Sequence, residues 1–210
     1  MKQKTYTHIY LAGKIKSNGW REAIINIRNN EFLAAGNANT KEDLLLCFKR
    51  GLIPFNHFYA IKGPFFLSCD HSCYHGDNSH GVGVNQEGCG SMFGDSFTEE
   101  EVIDVCKYQI ENSDIIFAYI NDNTCYGSLF EIGYAKSLGK KIIIVFDTQQ
   151  RQKDMWFITK NSDCTFNLED FSLIKENKLL TDVLVKSTDE SLNPIAKIFA
   201  YKIMKYEKMI

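Results

Sequence analysis

The residue whose type and setting could do chemistry is Glu131. It lies in the stretch 114–147, DIIFAYINDNTCYGSLFEIGYAKSLGKKIIIVFD, where the apolar runs 115–120 and 142–146 flank a polar loop and one amphipathic segment. Two short apolar runs joined by a single helix read as a βαβ unit. The helix is predicted to begin near Gly127 or Ser128 and to stop at Gly139, because glycine supplies a left-handed C-terminal cap and Lys140 and Lys141 suit the negative end of the helix dipole. Glu131 then falls in the first turn, above the carboxyl end of the preceding strand, where open α/β sheets bind ligands. There the helix N-terminus favours the ionised carboxylate, the state a nucleophile needs. The plainer reading is a capping or solvated glutamate. Gly127 is read as leaving room for a ligand against the backbone, and Gly133 as letting the helix lie close on the sheet.

The elements that must position this carboxylate are read outward from it. Residues 8–12 form a short apolar first strand, with Tyr10 pointing opposite to Ile9 and Leu11, and Gly13 turns the chain at its end. Trp20, Arg21 and Glu22 open a short helix lined by Ile24, Ile25 and Ile27. Arg21 either offers a guanidinium fork to a phosphate or carboxylate at the strand end or pairs with an acid at the surface. A helix is expected around 41–48, with Pro54 ending local order, and a second strand at 65–68. Thr98 and Glu101 make a capping box for a helix through Ile110. That helix ends at Ser113 and Asp114, and the strand after it delivers Asn121, Asp122, Asn123 and Thr124 to the site. Past Asp147 the signals weaken, until Pro194 opens a last helix, about 193–208, whose Ile195, Ile198, Phe199 and Ile203 share one face for the core or a subunit contact.

The run GSLFEIGYAKSLGKKIII resembles the signature of the nucleoside 2-deoxyribosyltransferase-like superfamily, G-[ST]-x-x-E-x-G-x-A followed by Gly-Lys and a buried strand. IYLAG near the N-terminus is similar to that family's first strand and glycine turn, and the likeness covers roughly residues 1–147, with 36–94 matching loosely. The resemblance implies a single α/β domain over 1–210: a doubly wound, Rossmann/flavodoxin-like parallel sheet with flanking helices. It makes Glu131 the nucleophile that takes up the sugar of a nucleoside or nucleotide. Tyr10, Gly13, Trp20, Arg21, Gly127 and Ser128 become the candidate substrate contacts, joined by His71 from a lid reading of the glycine-rich stretch 63–96, with Ser128 bonding a sugar hydroxyl or phosphate oxygen beside the orphan amides of the helix mouth. It also implies a homo-oligomer in which a neighbour completes the site. No cofactor is expected.

Two positions depart from the family pattern. Six residues before the glutamate the family's transferases carry an Asp, and this chain has Cys125; eight residues before Asp114 they carry an Asp that handles the base, and this chain has Cys106. A thiol, with an ordinary pKa of about 8.5, is a poor substitute for a carboxylic acid, so Asp122 is taken as the second catalytic carboxylate. The expectation is an N-glycosidase that cleaves the base–sugar bond of a nucleoside or nucleotide. The alternatives are a nucleoside 2-deoxyribosyltransferase, an effector that consumes a nicotinamide dinucleotide, and a non-catalytic nucleotide-binding sensor.

The stretch 63–96 is rich in glycine and holds Cys69, His71, Cys73, His75, His80 and Cys89. Its spacing lacks the paired C-x-x-C turn of zinc sites, so a substrate lid is favoured over a metal centre. Over the whole chain, 44% hydrophobic residues in 210 suffice for one core. A net charge of −2 gives no support for long nucleic acid or an anionic membrane as partner. There is no apolar run of membrane-spanning length or signal-peptide pattern. The seven scattered cysteines read as reduced thiols, and the expected place is the cytoplasm.

Overall fold

The computed structural model describes residues 6–14, 20–24, 39–54, 58–64, 98–169, 195 and 198–199. Along the chain these form β1 (Thr7–Gly13), α1 (Trp20–Ile24), α2 (Lys41–Arg50), β2 (Ile53–Pro54), β3 (Tyr59–Gly63), α3 (Glu99–Glu111), β4 (Ile115–Ile120), α4 (Tyr126–Ser137), β5 (Lys141–Phe146), α5 (Gln149–Asp154), α6 (Trp156–Asn161) and β6 (Cys164–Asn167). The strands make one six-stranded sheet in the order β2-β3-β1-β4-β5-β6. Every neighbouring pair is parallel except β2 with β3. Without that antiparallel edge the parallel strands follow the 2-1-3-4-5 order of a flavodoxin-like fold, which reverses direction between β1 and β4. The doubly wound α/β architecture expected from the sequence is the one observed.

Strands β4 and β5 are almost wholly apolar because the sheet is covered on both faces. On one face Ile9, Leu11, Phe117 and Tyr119 pack with Trp20 of α1 and with the helical residues Ile198 and Phe199. On the other, Tyr10, Ala12, Ile116 and Ala118 pack with Ile132 and Ala135 of α4. The predicted capping box at Thr98 and Glu101 opens α3, and a second one, Thr40 with Asp43, opens α2. Helix α4 ends as predicted at Gly139, which has φ of 70°. The amides of Gly139 and Lys140 return to the carbonyls of Lys136 and Ala135 in a Schellman motif. No described helix is long and apolar enough to cross a membrane.

Three expectations are corrected. Helix α4 starts at Tyr126 with Cys125 as a cap residue whose side chain makes no capping hydrogen bond, so Glu131 is the sixth helical residue and sits in the second turn. Gly133 faces open space and is exposed, with nothing within 4 Å of where a Cβ would be, so it does not bring the helix onto the sheet. The strand beside β1 is Tyr59–Gly63, in a stretch read as irregular, while residues 65–68, 25, 27, 194 and 203 lie outside the described residues. The weak signals after Asp147 resolve into α5, α6 and β6, the last adding a parallel edge to β5.

Candidate functional site

Glu131, carried by α4, meets β1 through Tyr10. The hydroxyl of Tyr10 donates to Glu131 Oε1 at 2.5 Å. Tyr10 is fully buried in the middle of β1, so its role is to hold the carboxylate instead of lying open to a ligand. The thiol of Cys106, carried by α3, also hydrogen-bonds the carboxyl group, and the guanidinium of Arg21 adds a positive charge nearby. Burial pushes the Glu131 carboxyl up to about 7 against the opposing pull of Tyr10, Arg21 and Cys106. The helix N-terminus therefore does not keep Glu131 in the ordinary carboxylate range, because burial removes more hydration than the donors restore. Glu131 nonetheless retains partial exposure. The same burial, reinforced by the charge of Glu131, pushes Cys106 up to about 12. Burial, followed by the charges of Cys106 and Glu131, raises Tyr10 well above the usual phenol range. Both groups keep their protons at neutral pH and both direct them at Glu131.

A second set of side chains runs along the carboxyl ends of the strands. Lys14, just after β1, donates to Asp122 Oδ2 at 2.7 Å across the point where the strand order reverses. The other oxygen of Asp122 accepts from the amide of Thr124 at 2.7 Å and its hydroxyl at 2.6 Å. The bonds from Lys14 and then Thr124 hold the Asp122 carboxyl well below the usual carboxylate range. Asp122 is thus a fixed negative charge, suited to accepting and not to donating a proton. Farther along, Arg151 pairs with Asp147 Oδ1 at 2.6 Å and also donates to Asn123 Oδ1.

The remaining candidates divide by what they touch. Arg21 is buried, with Nε, Nη1 and Nη2 donating to the carbonyls of Leu11, Lys14 and Gly13 at 2.9, 3.1 and 2.7 Å. These bonds brace the turn after β1, so the guanidinium acts on the site through its charge. Gly13 has φ of 150°, and a Cβ there would lie 2.7 Å from the Tyr119 carbonyl and 3.1 Å from the Trp20 ring; only glycine fits. Trp20 is buried against Phe117 and Tyr119, with its ring Nε1 lacking a hydrogen-bond partner. Ser128 is buried in the first turn of α4, whereas Gly127 is exposed with open space beside it. His71, with the rest of the 63–96 loop beyond Pro64, lies outside the described residues. Among the described residues no cluster of His, Cys, Asp or Glu is arranged to hold a metal ion.

Sequence reasoning named Cys106 only as a lost aspartate and did not name Lys14, Asp147 or Arg151. The apolar alternation of β1 set Tyr10 apart from Ile9 and Leu11, and charged residues next to strand ends were the visible signal for Lys14 and Asp147, whereas Arg151, inside α5, carried none. A comparison with family models, curated proteins and solved structures finds no match to this chain.

Proposed function

We propose that the protein cleaves the N-glycosidic bond of a nucleoside or nucleotide, with Glu131 as nucleophile. The observation that carries this reading is the Tyr10–Glu131 pair: a partly exposed carboxylate whose Oε1 is held by a buried hydroxyl. Breaking such a bond builds positive charge on the anomeric carbon, and a fixed carboxylate can both stabilise that charge and form a glycosyl ester there. Water then attacks the same carbon and regenerates the carboxylate. Tyr10 fixes the rotation of the carboxyl group, and Arg21 favours its ionised form. Asp122 is the fixed acceptor at the strand-order reversal, where it suits a sugar hydroxyl. Ser128 and Gly127 line the mouth of α4. Transfer to a second base ranks below hydrolysis, because thiols stand at positions 106 and 125. The reading takes the protein as a cytoplasmic homo-oligomer acting on a small nucleoside or nucleotide.

The test is incubation of purified protein, beside Glu131→Ala, with a pooled panel of nucleosides, nucleotides and a nicotinamide dinucleotide, reading free base by mass spectrometry. Base release that vanishes in the variant is the expected result. Ligand binding without release would instead make the protein a nucleotide sensor.

A further inference from the structure

We infer that the outward face of α4 pairs with the same face of a second copy of this chain. The two helices run antiparallel about a two-fold axis, with Phe130 of each copy set into the notch left by Gly133 of the other. The inference does not depend on the glycosidase reading above.

Two observations on α4 point to a surface that is covered in use. A helix at the surface of a globular protein carries charge on its outer side, and one that is apolar all round is a buried helix. Helix α4 turns Ile132 and Ala135 into the core, yet its opposite stripe, Tyr126, Phe130, Gly133 and Ser137, is exposed and carries no charge. The charged residues of α4 are Glu131, which meets Tyr10, and Lys136, whose Nζ lies 3.9 Å from Asp163 Oδ2. The second observation is Gly133 itself. Glycine inside a helix is destabilising relative to alanine, and nothing lies within 4 Å of where a Cβ would stand. Backbone left bare on an exposed face suits close approach by another helix.

The occupant is a second copy because the stripe is complementary to itself. When two α4 helices run antiparallel, Tyr126 faces Ser137 and Phe130 faces Gly133, a large ring opposite a small residue each time, and the helix dipoles oppose one another. The rings are held ready. Phe130 stacks on Tyr134 with centroids 6.1 Å apart and planes 6° apart, and the Tyr134 hydroxyl donates to Glu111 of α3. Side chains ordered before association lose little freedom on pairing. Helix α6 packs beside α4, where Met155 and Ile158 join Leu129 and Tyr134 over the core, and its Trp156 and Phe157 stay outside. Tyr126, Phe130, Trp156 and Phe157 are 72, 58, 63 and 65% exposed. At roughly 200 Å² for a whole aromatic side chain, they offer about 500 Å² per copy and about 1,000 Å² for the pair, the size a specific interface has to reach.

The test is sedimentation equilibrium of the full chain at micromolar concentrations, beside Phe130→Glu and Gly133→Leu. The wild type is expected to be a dimer. Phe130→Glu places an unpaired charge in each half of the contact and should weaken the dimer at least about 100-fold. Gly133→Leu fits the open space of a single copy, and a helix accepts leucine well. That variant should therefore keep its far-ultraviolet helical signal and still lose the dimer. The contact is located with Tyr126→p-benzoylphenylalanine in a mixture of isotopically heavy and light copies, irradiated and then digested. Heavy-to-light cross-links from position 126 to the last turn of α4 are the expected result. A monomer throughout, a dimer that either variant leaves intact, or cross-links that stay within one chain or land outside α4 of the other would overturn the inference. None of these outcomes touches the base-release assay, so the two readings fail separately.

Discussion

Glu131 is pulled in two directions, and pH reads out the balance. Its folded-state pKa of about 7 lies above the ordinary glutamate value of 4.5 because burial outweighs the Tyr10, Arg21 and Cys106 contributions. The folded protein therefore binds this proton more tightly than the unfolded chain does. Its contribution to stability is fully present below about pH 4.5 and is lost as pH rises through about 7. The difference amounts to on the order of 3 kcal/mol. Glu131→Gln keeps the shape and never ionises, so it should match the wild type near pH 4 and exceed it by roughly 2–3 kcal/mol at pH 8. Urea midpoints at the two pH values check this, and a difference that does not change with pH would show that the carboxyl group is unperturbed. The same ionisation should govern base release, with rates climbing through about pH 7. Tyr10→Phe deletes a donor that favours the charged form, so its acid limb should move to higher pH; an unmoved limb would detach Tyr10 from the nucleophile.

Helix α4 carries Glu131, the proposed nucleophile, and its two ends differ in quality. The C-terminus is closed by Gly139 and its Schellman bonds, but the side chain of the cap residue at the other end, Cys125, makes no capping hydrogen bond. A serine there is close in size and its oxygen can accept from the first-turn amides, so Cys125→Ser should add about 0.5–1 kcal/mol. A rise of a few degrees in Tm checks it, and a fall would mean that the buried thiol packs better than a hydroxyl caps. This asymmetry also explains what could be read. The end at Gly139 was legible because a positive φ demands a residue type. The start was not, because Cys125 is no cap signal and the turn before it is set by Asp122 accepting from Thr124. Likewise β4 and β5 were legible as unbroken apolar runs. Strand β3, YAIKG, was not, since Lys62 interrupts it; that lysine is buried because its ammonium donates to the carbonyls of Lys49 and Gly51, partners supplied only by the tertiary fold.

At the scale of the molecule the site is a product of topology: Tyr10 and Glu131 are 121 residues apart, and the β1–β4 pairing with α4 laid over it brings them together. No spacing in the sequence announces that pair, although Glu131 itself stood out by its helix and strand context. The opposite face of the same strands supports the arrangement from behind. Phe199 is fully buried and meets Phe117 edge to face at 4.9 Å; Phe117 in turn lies 6.0 Å from the ring of Trp20, whose neighbour Arg21 braces the turn after β1. If these contacts belong to one cooperative core, Phe199→Ala should cost about 3–5 kcal/mol. The loss should be felt everywhere at once, because Phe117 and Tyr10, the hydrogen-bond partner of Glu131, sit on paired strands. Trp20 is buried while Trp156 is 63% exposed, so the red shift of tryptophan fluorescence on unfolding reports chiefly on the core. The expected result is a lower urea midpoint for that shift, coincident with loss of far-ultraviolet helical signal. A fluorescence midpoint that moves while the helical signal does not would separate the two faces of the sheet into independent units. In that case Tyr10 and Glu131 would keep their geometry in the variant, and base release, measured below either midpoint, would be unchanged.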